Sequence, residues 1–224
     1  MRKFTKFCLY NDIETLLDIS SQKLLDESFP ASCSRVHITF TKDKVEIRPL
    51  TTHQERALEN ARKADDPLSV MAACTSGVDL HSMQKHGHSI HSIIEYRPAE
   101  LRDKKDLTET GALNAVANIE GIKAVYNEDI NTINLDRIAA AVNESPFTTF
   151  VISPVCDDFS TVKAKSLKDR SLEDLSSGID MGYDLLRIVE RLAPPTILIE
   201  NVSGWVKSDM YRIISLRLRR WGYQ

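Results

Sequence analysis

An open α/β sheet of mostly parallel strands, doubly wound by helices, is the fold that this 224-residue chain predicts. Two observations carry the prediction. Five short apolar runs recur from about residue 68 onward, and segments of helical periodicity or helix-forming composition separate them. Strands alternating with helices of this length build right-handed βαβ units. The second observation is positional: each chemically distinctive residue sits just after an apolar run, where an open sheet of this kind binds its ligands.

Residues 1–67 differ in pattern from the remainder of the chain and are read as an N-terminal extension of undetermined role, with the main domain at 68–224. Within the extension, RVHITFTKDKVEIRPL alternates apolar and polar residues on both sides of TKD, the pattern of a hairpin. TTHQERALENARKADDP has the composition of an exposed helix closed by Pro67. From Leu68 the runs are SVMAAC, SIHSIIEY, KAVYNEDI, TTFVISP and TILIENV. The intervening helices are VDLHSMQKHG, DLTETGALNAVANIEG, NLDRIAAAVNES and SLEDLSSGIDMGYDLLRIVERLA, and SDMYRIISLRLRRWGY comes after the last strand.

Bulk composition narrows the function classes. A chain that is 42% hydrophobic and 27% charged with a formal net charge of -3 has no uniformly basic coat, which leaves a local basic patch as the route to nucleic acid. The four cysteines, Cys8, Cys33, Cys74 and Cys156, form no CxxC pair, so neither a zinc framework nor a disulfide scaffold is expected and no metal site is assigned. The N-terminal stretch meets Asn11, Asp12 and Glu14 before any long apolar run, unlike a signal peptide. No run approaches the roughly 20 apolar residues that span a bilayer. A soluble protein in a reducing, cytoplasmic setting is expected.

The residues at the strand ends suggest chemistry. Thr75, Ser76 and Gly77 form a small-residue turn into a helix, which either cradles a ligand against the backbone or simply permits a tight turn. Glu95 ends the second strand, where a carboxylate suits the two hydroxyls of a ribose or is merely solvated. Asp129 offers an acceptor to a ring edge or an exocyclic amine, or is an acid in a helix N-cap region near Asn131. Cys156 comes after the fourth strand and is either inert filler or a nucleophile, since a thiolate attacks readily at neutral pH. A glutamate such as Glu200, set in the apolar run TILIENV, is costly to bury charged and should be paired or hold a proton. A thiolate beside a protonated acid suits conjugate addition to an electron-poor ring, with the acid protonating ring nitrogen.

The ordered set SPVCDDFS, succeeded one βα unit later by IENV, resembles the catalytic motifs of the DNA (cytosine-5) methyltransferase family, where a Pro-Cys loop ending in Phe-Ser precedes Glu-Asn-Val. CTSGVDLHSMQKHGHSIHSIIEYRP is similar to that family's cofactor loop, helix and acidic strand end, and NEDI to its Asp-Ile motif. The resemblance covers about residues 69–224 and implies a Rossmann-like fold of the S-adenosylmethionine-dependent methyltransferases. It implies that Cys156 attacks carbon 6 of a cytosine, that Glu200 contacts and protonates ring nitrogen 3, and that Asn201 helps hold the Cys156 loop. Carbon 5 then takes a methyl group from S-adenosylmethionine. Gly77 with its neighbours Thr75 and Ser76 would face the methionine portion of that cofactor, Glu95 its ribose and Asp129 its adenine, with Tyr96, Ile130 and Pro154 completing the set. DNA carrying the target cytosine is the implied partner, its base flipped out of the stack. Ser160, at the Phe-Ser position, would contact the DNA backbone; apart from the resemblance, Lys163, Lys165, Lys168 and Arg170 in the polar loop after it either approach phosphates when the loop closes or belong to an exposed flexible loop. RNA is the alternative substrate, as for some relatives of the family. The small extension points to a bacterial or phage-infected cell, as in restriction-modification.

Three departures accompany the resemblance. Ala73-Cys74-Thr75-Ser76-Gly77-Val78 stands where the family carries Phe-x-Gly-x-Gly-Gly. Pro154-Val155-Cys156 stands where it carries Pro-Pro-Cys. After RIISLRLRRWGYQ the family continues with a further strand, a Gln-x-Arg-x-Arg motif and a target-recognition region. The chain is thus part of a longer polypeptide, or one half of a split enzyme whose second chain supplies target recognition, or a relative that binds DNA or a partner methyltransferase without turnover.

Overall fold

The computed structural model describes residues 36–40, 45–75, 78–95, 110–156, 159 and 180–224. The chain divides into two compact units, Met1–Thr51 and Thr52–Gln224. In the first, β1 (Val36–Phe40) and β2 (Val45–Pro49) pair antiparallel, with Val36 opposite Pro49 and Phe40 opposite Val45. The alternation on either side of TKD has this hairpin as its cause.

The second unit opens with α1 (Thr52–Lys63), which carries Glu55 in its first turn, Arg62 and Lys63 in its last, and a Glu59–Lys63 ion pair at 2.7 Å. This charge order complements the helix dipole. The helix is not wholly exposed: His53 and Ala57 are buried. Arg56 donates to the carbonyls of Glu190 and Arg191, Asn60 to those of Leu192 (2.9 Å) and Ala193 (3.0 Å), and Gln54 to that of Gly222. By its contacts the helix is part of the second unit, although it precedes the division read at residue 67.

The strands are β3 (Ser69–Ala73), β4 (Ser89–Ile94), β5 (Ala124–Tyr126), β6 (Thr149–Ile152) and β7 (Thr196–Ile199), all parallel in the order β5-β4-β3-β6-β7. The helices between them are α2 (Val78–Lys85), α3 (Thr110–Asn118), α4 (Leu135–Glu144) and α5 (Met181–Leu192); a short α6 (Ser203–Val206) and then α7 (Asp209–Trp221) come after β7. β3 is buried at every residue because helices cover both faces, which is why SVMAA shows no alternation. Met71, Ala73, Phe150 and Ile152 face α4, α5 and α7, whereas Val70, Ala72 and Val151 face α2 and α3. β5 keeps three residues of its apolar run, since Asp129 turns the chain immediately afterwards.

Local signals place the helix ends. Asn134 caps α4 by accepting from the backbone of Asp136 and Arg137, and Ser208 caps α7 by accepting from Tyr211. Gly222 ends α7 at φ 99°, with Tyr223 donating to the Leu218 carbonyl across the turn. Gly182 lets α5 meet Met210 and Ile214 of α7 where a side chain would collide with them. The winding of the chain reverses between β3 and β6, so a crevice opens at their carboxyl ends, beside Cys74 and Ser153. No helix among the described residues is long and apolar enough to cross a membrane.

Candidate active site

The crevice is built by residues just past the strands that stay in register. Cys74 N–H donates to the Ile94 carbonyl (3.0 Å), Glu95 to Tyr126 (3.0 Å), Ser153 to Ala73 (3.2 Å) and Glu200 to Ile152 (3.0 Å). Four segments far apart in sequence therefore present Cys74, Glu95, Ser153 and Glu200 as one row along the sheet edge.

The loop carrying Cys156 leaves this row at Ser153 and is held at several points. Asn201 donates through Nδ2 to the Pro154 carbonyl at 2.9 Å, while its Oδ1 accepts from Val202 N–H at 2.9 Å. The residue after Glu200 thus grips the chain two residues before Cys156. Val155 N–H reaches the Met181 sulfur at 3.4 Å, and Phe159 N–H donates to the Cys156 carbonyl at 3.0 Å. A proline at 155, the residue type usual in the resembling family, has no N–H for that sulfur contact. Cys156 itself is half-buried with a free thiol.

Glu200 departs from expectation. It is exposed, and burial alternates from Thr196 to Glu200 because β7 is the edge of the sheet and one of its faces is open among the described residues. The apolar letters of TILIENV suggested burial on both sides, but Leu198 is itself 50% exposed. The cost of burying a charged glutamate therefore does not arise here.

On the other side of the crevice, Cys74 adopts a left-handed backbone at φ 58°. Burial, and then the nearby carboxylates of Glu95, Asp129 and Asp184, push its thiol up to about 12. Such a shift disfavours the thiolate at neutral pH. Thr75 and Glu95 are buried, at 6% and 5% exposure. The Oγ1 of Thr75 and the Oγ of Ser153 are buried without a hydrogen-bond partner among the described residues. Such hydroxyls cost on the order of 1–3 kcal/mol each when left unsatisfied.

Asp129 serves its own turn: Oδ1 accepts from Asn131 N–H at 2.9 Å and its carbonyl receives Thr132 and Ile133. Ile130 is buried in the core, and its carbonyl accepts from Arg187. Arg187 also pairs at 3.3 Å with the buried Asp184, whose carboxyl burial raises above the usual range. Ser76, Gly77, Tyr96, Ser160, Lys163 and Lys165 lie outside the described residues. Ser153, Met181 and Gly204 join the site without having been singled out, although SPVC and ENVSGW displayed Ser153 and Gly204 beside the quoted motifs.

A cleft of about 140 Å³ lies elsewhere, where α1 meets the last turns of α4 and α5 at the opposite ends of the strands. Arg191 on its wall pairs with Asp136 at 2.9 Å, and Lys63 with Glu59. No cluster of three His, Cys, Asp or Glu side chains among the described residues is arranged to hold a metal ion.

A comparison with curated proteins returns no match. The chain is similar in structure to the Entamoeba histolytica methyltransferase EhMeth, with a TM-score of 0.45 and 18% sequence identity over 68% of this chain and 43% of that one. It thus spans less than half of that structure. The sequence model of C-5 cytosine-specific DNA methylases matches residues 107–224, more than half of the chain, a span that takes in Asp129, Cys156, Glu200 and Asn201 and begins after Thr75 and Glu95. The chain belongs to the C-5 cytosine-specific DNA methylase family.

Proposed function

We propose that the chain carries the catalytic centre of a DNA cytosine-5 methyltransferase, with Cys156 as nucleophile and Glu200 as acid. The observation that carries the reading is the Asn201–Pro154 hydrogen bond, which joins the strand end bearing Glu200 to the loop bearing Cys156. In this reading the Cys156 thiolate adds to carbon 6 of an extruded cytosine while Glu200 gives a proton to nitrogen 3. Electron density then rests on carbon 5, the position that takes the methyl group. Loss of the carbon 5 proton and departure of the thiolate restore the ring, and the proton on nitrogen 3 returns to Glu200.

The residues present suit S-adenosylmethionine. The orphaned hydroxyls of Thr75 and Ser153 offer polar contacts to its amino-acid end, and buried Glu95 offers acceptors to its ribose. When bound, that group supplies an electrophilic methyl on a sulfonium sulfur. Ser76, Gly77, Tyr96, Asp129, Ile130 and Pro154 are assigned to the same cradle, with Ile130 as an apolar wall. Ser160, Lys163 and Lys165 are assigned to DNA phosphates.

Methyl-labelled S-adenosylmethionine incubated with the chain and matched DNA and RNA tests the reading by nucleoside analysis. Label in 5-methylcytosine of DNA, lost in Glu200→Gln, is expected. Label confined to RNA, or incorporation that survives Cys156→Ala, would overturn it.

A further inference from the structure

We propose that Gly204 is a positioning residue for Cys156, acting through the backbone of Phe159. The inference rests on the reading of Cys156 as the nucleophile. A methyl group built on Gly204 would overlap the Phe159 carbonyl oxygen and lie 3.2 Å from its carbon. An uncharged carbon needs about 3.3–3.6 Å from a carbonyl oxygen, so any side chain at 204 displaces one of the two segments by on the order of 1 Å.

Which segment yields depends on how each is held. Trp205, next in α6, is buried in the core and packs edge-on against Tyr211 at 5.2 Å. Its carbonyl accepts from the Ser208 hydroxyl at 2.6 Å, and its N–H donates to Val202 at 2.9 Å. α6 is therefore clamped. Among the described residues the loop around Cys156 is held by the Asn201–Pro154 hydrogen bond, by the Val155 contact to the Met181 sulfur and by the partly buried Phe159 ring at the edge of the core, and Cys156 lies half-buried. The loop is the softer partner. Asn201 holds the chain at Pro154, so pressure on Phe159 passes to Cys156 through the Phe159–Cys156 hydrogen bond. Gly204 thus sets the height of Cys156 above the sheet edge, on the same segment that carries Glu200 and Asn201.

The test is peptide-resolved alkylation of the full chain by iodoacetamide, read for Cys156 and, as an internal monitor of opening, for the partly buried Cys74, whose thiol its surroundings push up to about 12. In Gly204→Ala the Cys156 rate should rise about tenfold while Cys74 stays unreacted, and Val206→Ala, an exposed change in the same short helix, should leave both rates as they were. Methyl transfer by Gly204→Ala should fall on the order of 100-fold in kcat with KM for S-adenosylmethionine unchanged, as expected for a reacting group misplaced by about 1 Å. A Cys156 rate within twofold of the parent would overturn the proposal, as would reactivity of both thiols, which would assign Gly204 to the integrity of the whole domain. A parent chain showing this alkylation pattern without any methylcytosine would count against the methyl-transfer reading alone.

Discussion

Acidification should weaken the seat of α1, and His53 is the group that makes it do so. Its ring stacks on Trp221 at 4.9 Å with the planes 11° apart, and its Nε2 lies 3.0 Å from the Tyr223 hydroxyl. That hydroxyl already donates to the Pro194 carbonyl at 2.6 Å, so Nε2 is the donor to it and the neutral ring carries its proton on Nε2. Burial first, and the neighbouring Arg56 charge second, lower the His53 pKa from 6.5 to about 4, with Glu190 opposing. The unfolded chain therefore binds an extra proton between those values. Stability is full above pH 6.5, falls as pH drops through the window, and levels off below 4. At about 1.4 kcal/mol per pH unit the ceiling is roughly 3 kcal/mol, and solvent and counter-charges near the helix surface reduce it to about 1.5 kcal/mol. For a chain of this length that is a Tm loss of about 3–6 °C. Thermal unfolding at pH 7.5 and 4.5, with His53→Phe beside the parent, measures it, because phenylalanine keeps the stack and removes the titration. The acid-induced loss in the parent should exceed that in the variant by this amount. Equal losses would refute the assignment of the window to His53.

Two further outcomes are expected from the geometry. Cys74→Val should lower Tm by about 3–6 °C, since a β-branched residue at φ 58° costs on the order of 1–2 kcal/mol, whereas Cys74→Gly should be tolerated in the same melt. Asn60→Ala should cost about 1–2 kcal/mol in a urea titration, because it strips two hydrogen bonds from the carbonyls at the end of α5, where Ala193 is already left-handed.

How much of this was legible in the letters differs from element to element. The five strands and their parallel direction could be read from apolar runs spaced by helices, since periodicity and length constrain that much. Glu200 misled because TILIENV reads alike for a central strand and for an edge strand, and strand order depends on crossovers that local composition does not encode. The exposed-helix composition of THQERALENARK hid His53, whose burial depends on Trp221 and Tyr223 about 170 residues away. Cys156, Glu200 and Asn201 became candidates through the order of SPVC and IENV along the chain. Ser153 and Gly204 did not, because a serine before a proline and a glycine after a strand acquire meaning from what stands opposite them: an orphaned hydroxyl in one case, a backbone carbonyl in the other.

The central claim is that Cys156 makes a covalent bond to cytosine. DNA containing 5-fluorocytosine tests it most directly, since fluorine at carbon 5 cannot leave as a proton and the adduct persists after methylation. Incubated with S-adenosylmethionine, the parent chain should yield a denaturation-resistant protein–DNA species whose attachment maps by mass spectrometry to Cys156, and Cys156→Ser should yield none. A parent chain that methylates DNA without that species, or an attachment mapped to another residue, would contradict the claim.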